Sequence, residues 1–151
     1  LKLRGSKEGG RQKREAGRQD WLLRGNVAIK YVPVMEFKFE KLIIWQKAMD
    51  YGESINKLAW KFPKEEIYNL NSQMRRAVDS IALNISEGSI GQTNLEFKKF
   101  MGYSIRSLAE VVTCLHKANR REYISNEEFV IHYEFAFNLM NMMIAFRDKI
   151  I

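Results

Sequence analysis

The chain has 151 residues, 46% hydrophobic and 28% charged, the length and balance of one soluble globular domain with a core of its own. No apolar run approaches the ~20 residues that span a bilayer, and no apolar segment near the N-terminus reads as a signal peptide. The one cysteine, Cys114, excludes an intramolecular disulfide and suits a reducing cytoplasm.

The net charge of +7 belongs almost wholly to one end. Residues 1–34 hold nine basic residues (Lys2, Arg4, Lys7, Arg11, Lys13, Arg14, Arg18, Arg24, Lys30) against three acids (Glu8, Glu15, Asp20), or +6. Residues 35–151 hold 16 against 15, or +1. Five of the nine glycines also fall before residue 26, and the apolar residues there keep no sustained period. This composition predicts a disordered basic tail over 1–34. Two readings of the tail stay open. One is translated DNA upstream of a true start at Met35, the first methionine. The other is a native arm that binds polyanions with strong salt dependence. The folded domain is expected over 35–151.

From Met35 onward the apolar spacing predicts four helices. The first covers about Glu40 to Phe62. Ile44, Ala48, Tyr51, Ile55, Leu58 and Phe62 form its apolar row, and Pro63 stops it by pushing the preceding residue out of the helical region. The second covers about Glu65 to Glu87, with Glu65 and Glu66 near the positive end of its dipole. Between Gln73 and Gly88 it carries two stripes. Met74, Ala77, Ile81 and Ile85, with Leu70 before them, make an apolar face. Gln73, Arg76, Ser80, Asn84 and Glu87 make a polar face of small or medium side chains, suited to close packing or recognition. Gly88 offers a helix stop.

Thr93 with Glu96 is a capping box that opens the third helix. Its stripe is Phe97, Met101, Ile105, Leu108, Val112 and Leu115, and it ends around Asn119 to Glu122 among Lys117, Arg120 and Arg121, as the dipole favours. Ser125 with Glu128 is a second capping box, and the fourth helix continues to about Ile150. One of its rows is His132, Ala136, Leu139, Met143, Phe146 and Ile150; another beside it is Tyr133, Phe137, Met140 and Ile144. There is no hairpin signal and no alternating run. The fold class is therefore all-α, an up-down-up-down four-helix bundle. The apolar arc of the fourth helix is wider than one core requires, and large apolar faces mark interfaces, so a homo-oligomer is expected.

The residues build no catalytic, cofactor or metal site. A di-iron bundle needs Glu-x-x-His pairs, whereas Thr113 precedes His116 and Phe129 precedes His132 at that spacing. Glu128 and His132 share a face but stand alone, and Cys114 and His116, two apart, point in different directions. Cys114 borders a core stripe and reads as an inert thiol. Ser80, Ser86, Ser104 and Ser107 lack a His/Asp set, and Gly88-Ser-Ile-Gly91 lacks the spacing of a phosphate loop. The basic residues Arg75, Arg76, Lys98, Lys99, Lys117, Arg120 and Arg121 are the candidate nucleic-acid contacts, if the fold gathers them on one surface. Their bland reading is solvated surface charge and helix-end complementation.

One long pattern remains. Trp45…Ala48, Phe62-Pro63-x-x-Glu66-x-Tyr68-x-Leu70-x-x-Gln73-x-x-Arg76-Ala77-x-x-Ser80-Ile81-x-x-Asn84-Ile85-x-Glu87-Gly88, then Glu96-Phe97…Phe100…Ser107-Leu108-x-Glu110 resembles the small four-helix-bundle proteins encoded in intervening sequences of bacterial 23S rRNA genes. The resemblance covers roughly Phe39 to Ile150. It implies a bundle that assembles as a ring-like homopentamer. It also implies kinship in fold with the accessory variability protein of diversity-generating retroelements, a basic protein that binds nucleic acid and assists the reverse transcriptase. Two departures stand out: Arg106 where the family often has glycine, and Ile90-Gly91-Gln92 where it often has a basic residue. A home inside an rRNA gene would explain the tail as translated rRNA-coding DNA.

Together these readings predict a cytoplasmic, non-enzymatic homo-oligomer with RNA or DNA as the leading partner and no membrane or metal. The alternative is an interaction module with no nucleic-acid role. Gln73, Arg76, Ser80, Asn84, Glu87, Gly88 and Glu110 are expected to organise packing within or between bundles.

Overall fold

The structure, a computed structural model, describes residues 36–151; the expectations for the tail and for a start at Met35 lie outside the described residues. Four helices follow one another: α1 (Ile43–Ala59), α2 (Leu70–Ser89), α3 (Asn94–Arg120) and α4 (Asn126–Lys149). Each packs on the next, and α4 returns onto α1, with no close backbone approach across either diagonal. Short connections between neighbours make this an up-down-up-down bundle, and no strand occurs among the described residues.

The core is built where the apolar stripes meet. Tyr51 and Ile55 from α1, Met74, Ile81 and Ile85 from α2, Met101, Leu108 and Leu115 from α3, and Leu139 and Met143 from α4 are fully buried. Truncating any one of the buried Leu, Ile or Met side chains to Ala costs about 2–5 kcal/mol. The α2 stripe Leu70, Met74, Ala77, Ile81, Ile85 is buried throughout. In α3 the centre of the stripe is displaced from the expected one. Ser104, Val111, Cys114 and Ala118 are buried, while Phe97, Ile105 and Val112 lie at the margin. Small, buried Ser104 faces α2, where its hydroxyl donates to the Ile81 carbonyl at 2.9 Å.

Boundaries of the first two helices differ from those expected. The first helix does not run from Glu40 to Phe62: a 3-10 turn at Lys38–Lys41 leads through extended Leu42 into α1, which ends at Ala59, before Pro63. The second does not begin at Glu65. Lys64–Glu66 is a 3-10 turn, Asn69 is non-helical (φ −112°, ψ −114°), and α2 starts at Leu70. There the Glu66 carboxylate reaches forward to accept the Leu70 amide at 3.1 Å, a cap four residues removed. Gly88 is not a helix stop. It lies inside α2 with negative φ, and a Cβ there would stand 2.6 Å from Phe100 Cβ and 2.9 Å from Phe97 Cδ2. Its absent side chain lets α3 approach.

The starts of α3 and α4 are as predicted. Thr93 accepts the Glu96 amide, although Glu96 returns to the Gln92 amide and leaves that box half-made. Ser125 and Glu128 form a complete capping box. By length and composition α4 also passes as a membrane-crossing helix, which the absence of a long uninterrupted apolar run did not suggest. Its buried Ala136, Leu139 and Met143 make it a member of the bundle.

Candidate functional site

The polar stripe of α2 faces α3 across an open groove of about 890 Å³ at the end of the bundle where α2 begins and α3 ends. Gln73, Arg76 and Ser80 line one wall; Glu110, Lys117 and Arg121 line the other. Midway, Gln73 Nε2 donates to Glu110 Oε1 at 3.2 Å. Beyond it the groove closes on the Ser80–Ser107 hydroxyl pair, and Asn84 Nδ2 caps the Ser80 carbonyl at 2.7 Å. Four of the seven family-motif packing residues, Gln73, Arg76, Ser80 and Glu110, thus belong to one surface. Glu87 is exposed, and Gly88 sits at the far end of the α2–α3 contact.

The mouth is organised by Glu66, which motif reading placed only at a helix start. Its Oε1 accepts from Arg121 Nη1 and from the Tyr123 hydroxyl, both at 3.0 Å, while Oε2 holds the Leu70 amide. The Leu70 amide, then the Tyr123 hydroxyl and the Arg121 charge, keep its carboxyl below the ordinary carboxylate range. Arg76 and Lys117 have no carboxylate within ion-pair distance among the described residues. The groove therefore carries three cations, one of them committed to Glu66, and a second acid, Glu110, that pairs with neither of the other two.

The remaining predicted contacts are elsewhere. Arg75 turns toward α1, where its Nε donates to Asn56 Oδ1 at 2.9 Å and its guanidinium lies 5.1 Å from the Trp60 ring. Lys98 and Lys99 belong to the first turns of α3, at the opposite end, with Lys99 5.9 Å from the Tyr103 ring. Arg120 is exposed outside the groove. Of seven candidates the fold gathers three, Arg76, Lys117 and Arg121.

Two features escaped the sequence reading. In a smaller cleft between α1 and α4, Ser54 Oγ meets His132 Nδ1 at 3.3 Å, and Glu128 pairs with Lys61. Burial holds the His132 imidazole below its ordinary range, against the pull of Glu128. An apolar groove between α1 and α2 is floored by Ala48, Gly52 and Ala82 and rimmed by Trp45, Met49 and Leu83. The small residues are the sequence signal for it, but they read as core until α2 is placed. Cys114 is buried, and burial raises its thiol away from the reactive thiolate. No group of three potential metal ligands occurs among the described residues.

These features define an all-α, up-down-up-down bundle with a polar groove along its second and third helices and an apolar outer face on its fourth. The chain belongs to the family described as 23S rRNA-intervening sequence protein, whose model matches residues 40–145. Its fold is similar to a crystal structure of a protein of unknown function from the S23 ribosomal protein family of Bacteroides thetaiotaomicron. That likeness has a TM-score of 0.65 at 19% identity and covers 70% of this chain and 98% of that one. A comparison with curated proteins returned no match.

Proposed function

We propose that this chain is a non-enzymatic, cytoplasmic homo-oligomer, assembled as a ring-like pentamer, that binds RNA or DNA. The observation that carries the assembly is a second apolar stripe on α4. Val130, Tyr133, Phe137, Met140 and Ile144 recur at steps of three and four residues, yet Tyr133 and Phe137 are exposed at 38% and 58%, and Val130 at 48%. Ala136, Leu139 and Met143 on the adjoining face are buried in the core, and of the second stripe Met140 packs at its margin. A seam of this period is what one helix presents to another, and an exposed apolar surface of this kind marks an interface.

Nucleic acid is supported by Arg76, Lys117 and Arg121 in one groove and by the basic stretch 1–34. Fluorescence anisotropy with an rRNA hairpin across a salt series tests it. Micromolar affinity that falls steeply with salt is the expected result; no binding at ~50 mM salt contradicts it. Running 36–151 beside the full chain separates the groove from the tail. The near-neutral charge of 35–151, 16 basic against 15 acidic residues, favours the alternative, an assembly module without nucleic acid.

A further inference from the structure

We propose that the α2–α3 groove is a ribonucleotide site that prefers RNA to DNA, with Arg76 and Lys117 on a phosphodiester and Glu110 accepting from the ribose 2′-hydroxyl. The inference rests on the nucleic-acid reading and names its place and its sugar. Two observations carry it. First, the two cations of the groove that no acid engages, Arg76 and Lys117, share it with a carboxylate. A surface for phosphate alone gains nothing from an acid, which repels the ligand it should hold. Second, that acid is placed and half-employed. Gln73 donates to Glu110 Oε1 and orients the carboxylate, and Oε2 has no donor among the described residues. An oriented acceptor that shares one groove with two cations matches a ligand that carries both a hydroxyl and a monoanionic phosphate.

The charge in the groove agrees with one phosphodiester. Arg76, Lys117 and Arg121 face Glu66 and Glu110, so three positive charges meet two negative ones. A volume of about 890 Å³ lies within the range of small-ligand sites and admits a nucleotide unit. The 2′-hydroxyl is the group by which a protein distinguishes RNA from DNA at a given site, and the free Glu110 oxygen is an acceptor for it.

The test uses the full chain and anisotropy with a short single-stranded RNA and the DNA of the same sequence, chosen without uracil or thymine. Tail 1–34 is common to every variant, so differences between variants report on the groove. Wild type should bind the RNA more tightly than the DNA. Lys117→Ala should weaken both and make the salt dependence shallower by about 0.7 in log–log slope, the share of one single-strand contact. Glu110→Ala should bring the RNA:DNA affinity ratio to near one without weakening DNA, because a repulsive charge is removed along with the acceptor. Glu110 is exposed, so its loss leaves the core intact, and Lys47→Ala on the outside of α1, away from the groove, is the control expected to leave the RNA:DNA ratio unchanged. Equal affinities in wild type, or an RNA preference that survives Glu110→Ala, would overturn the inference while leaving nucleic-acid binding in place. No binding of either strand would overturn both.

Discussion

Gly88, in the last turn of α2, and Gly52, in the middle of α1, are both helical glycines, and their surroundings give substitutions of opposite sign. At Gly88 a methyl group collides with the backbone-proximal Cβ of Phe100. Gly88→Ala should therefore lower stability by about 1–3 kcal/mol, the usual cost of overpacking. At Gly52 a Cβ meets nothing within 4 Å, so Gly52→Ala should raise stability by about 0.5–1 kcal/mol through helix propensity. Urea unfolding of both variants checks the pair. Glu122 is a third case. It takes φ 59° after α3, where its amide donates to Asn119 and the Tyr123 amide to Ala118. That is a Schellman motif with glutamate at the position glycine normally fills. Glu122→Gly should stabilise by about 1 kcal/mol in the same assay. His132 sets a pH dependence. Its folded-state affinity for protons is lowered, first by burial, so the unfolded chain takes the proton first as pH falls. Stability from this residue is full above the unfolded pKa near 6.5 and is lost as pH drops below it. The polar groups that share its cleft are Asp50, Glu53, Ser54 and Lys57 of α1, Lys61 just beyond α1, and Glu128 of α4. His132→Gln should flatten the melting temperature of the protein between pH 7 and pH 5, relative to wild type, in a thermal scan.

At the scale of elements, the helices were legible where a stripe was long and strongly periodic, and illegible where side chains replaced local rules. The apolar row of α2 and the caps of α3 and α4 follow from spacing and from Thr93, Ser125 and Glu128. The segment 65–69 reads as helix because its acids suit a helix start. It is instead a turn, because Glu66 reaches forward to Leu70 and sideways to Arg121 and Tyr123, residues more than fifty positions away. The same long-range tie explains why the groove was only half legible. Gln73, Arg76, Ser80 and Glu110 were visible as motif residues and Lys117 and Arg121 as cations, but nothing local says that they share a wall. The α4 stripe was legible as a second row, and its exposure gives it an element-scale test. Phe137→Glu places a charge in the centre of the seam while touching none of the buried Ala136, Leu139 or Met143. The variant should keep its helical circular dichroism and lose its assembly; persistence of the oligomer would assign the seam to another use.

At the scale of the molecule, the charge of +7 separates into a basic stretch and a nearly balanced domain, and the domain separates again into faces. One face is a polar groove, set between α2 and α3. Another is an apolar seam on α4, exposed at Val130 and Phe137 and flanked by Met140 at the edge of the core. An apolar groove between α1 and α2 lies on a third side. A seam that meets a different surface on its neighbour makes a heterologous contact, and such contacts close into rings when the rotation allows. Multi-angle light scattering of the full chain at micromolar concentration measures the assembly directly. A mass near five times the 17.8 kDa of one chain, collapsing to one chain in Phe137→Glu, is the predicted result. A wild-type protein that stays at the mass of one chain would contradict it.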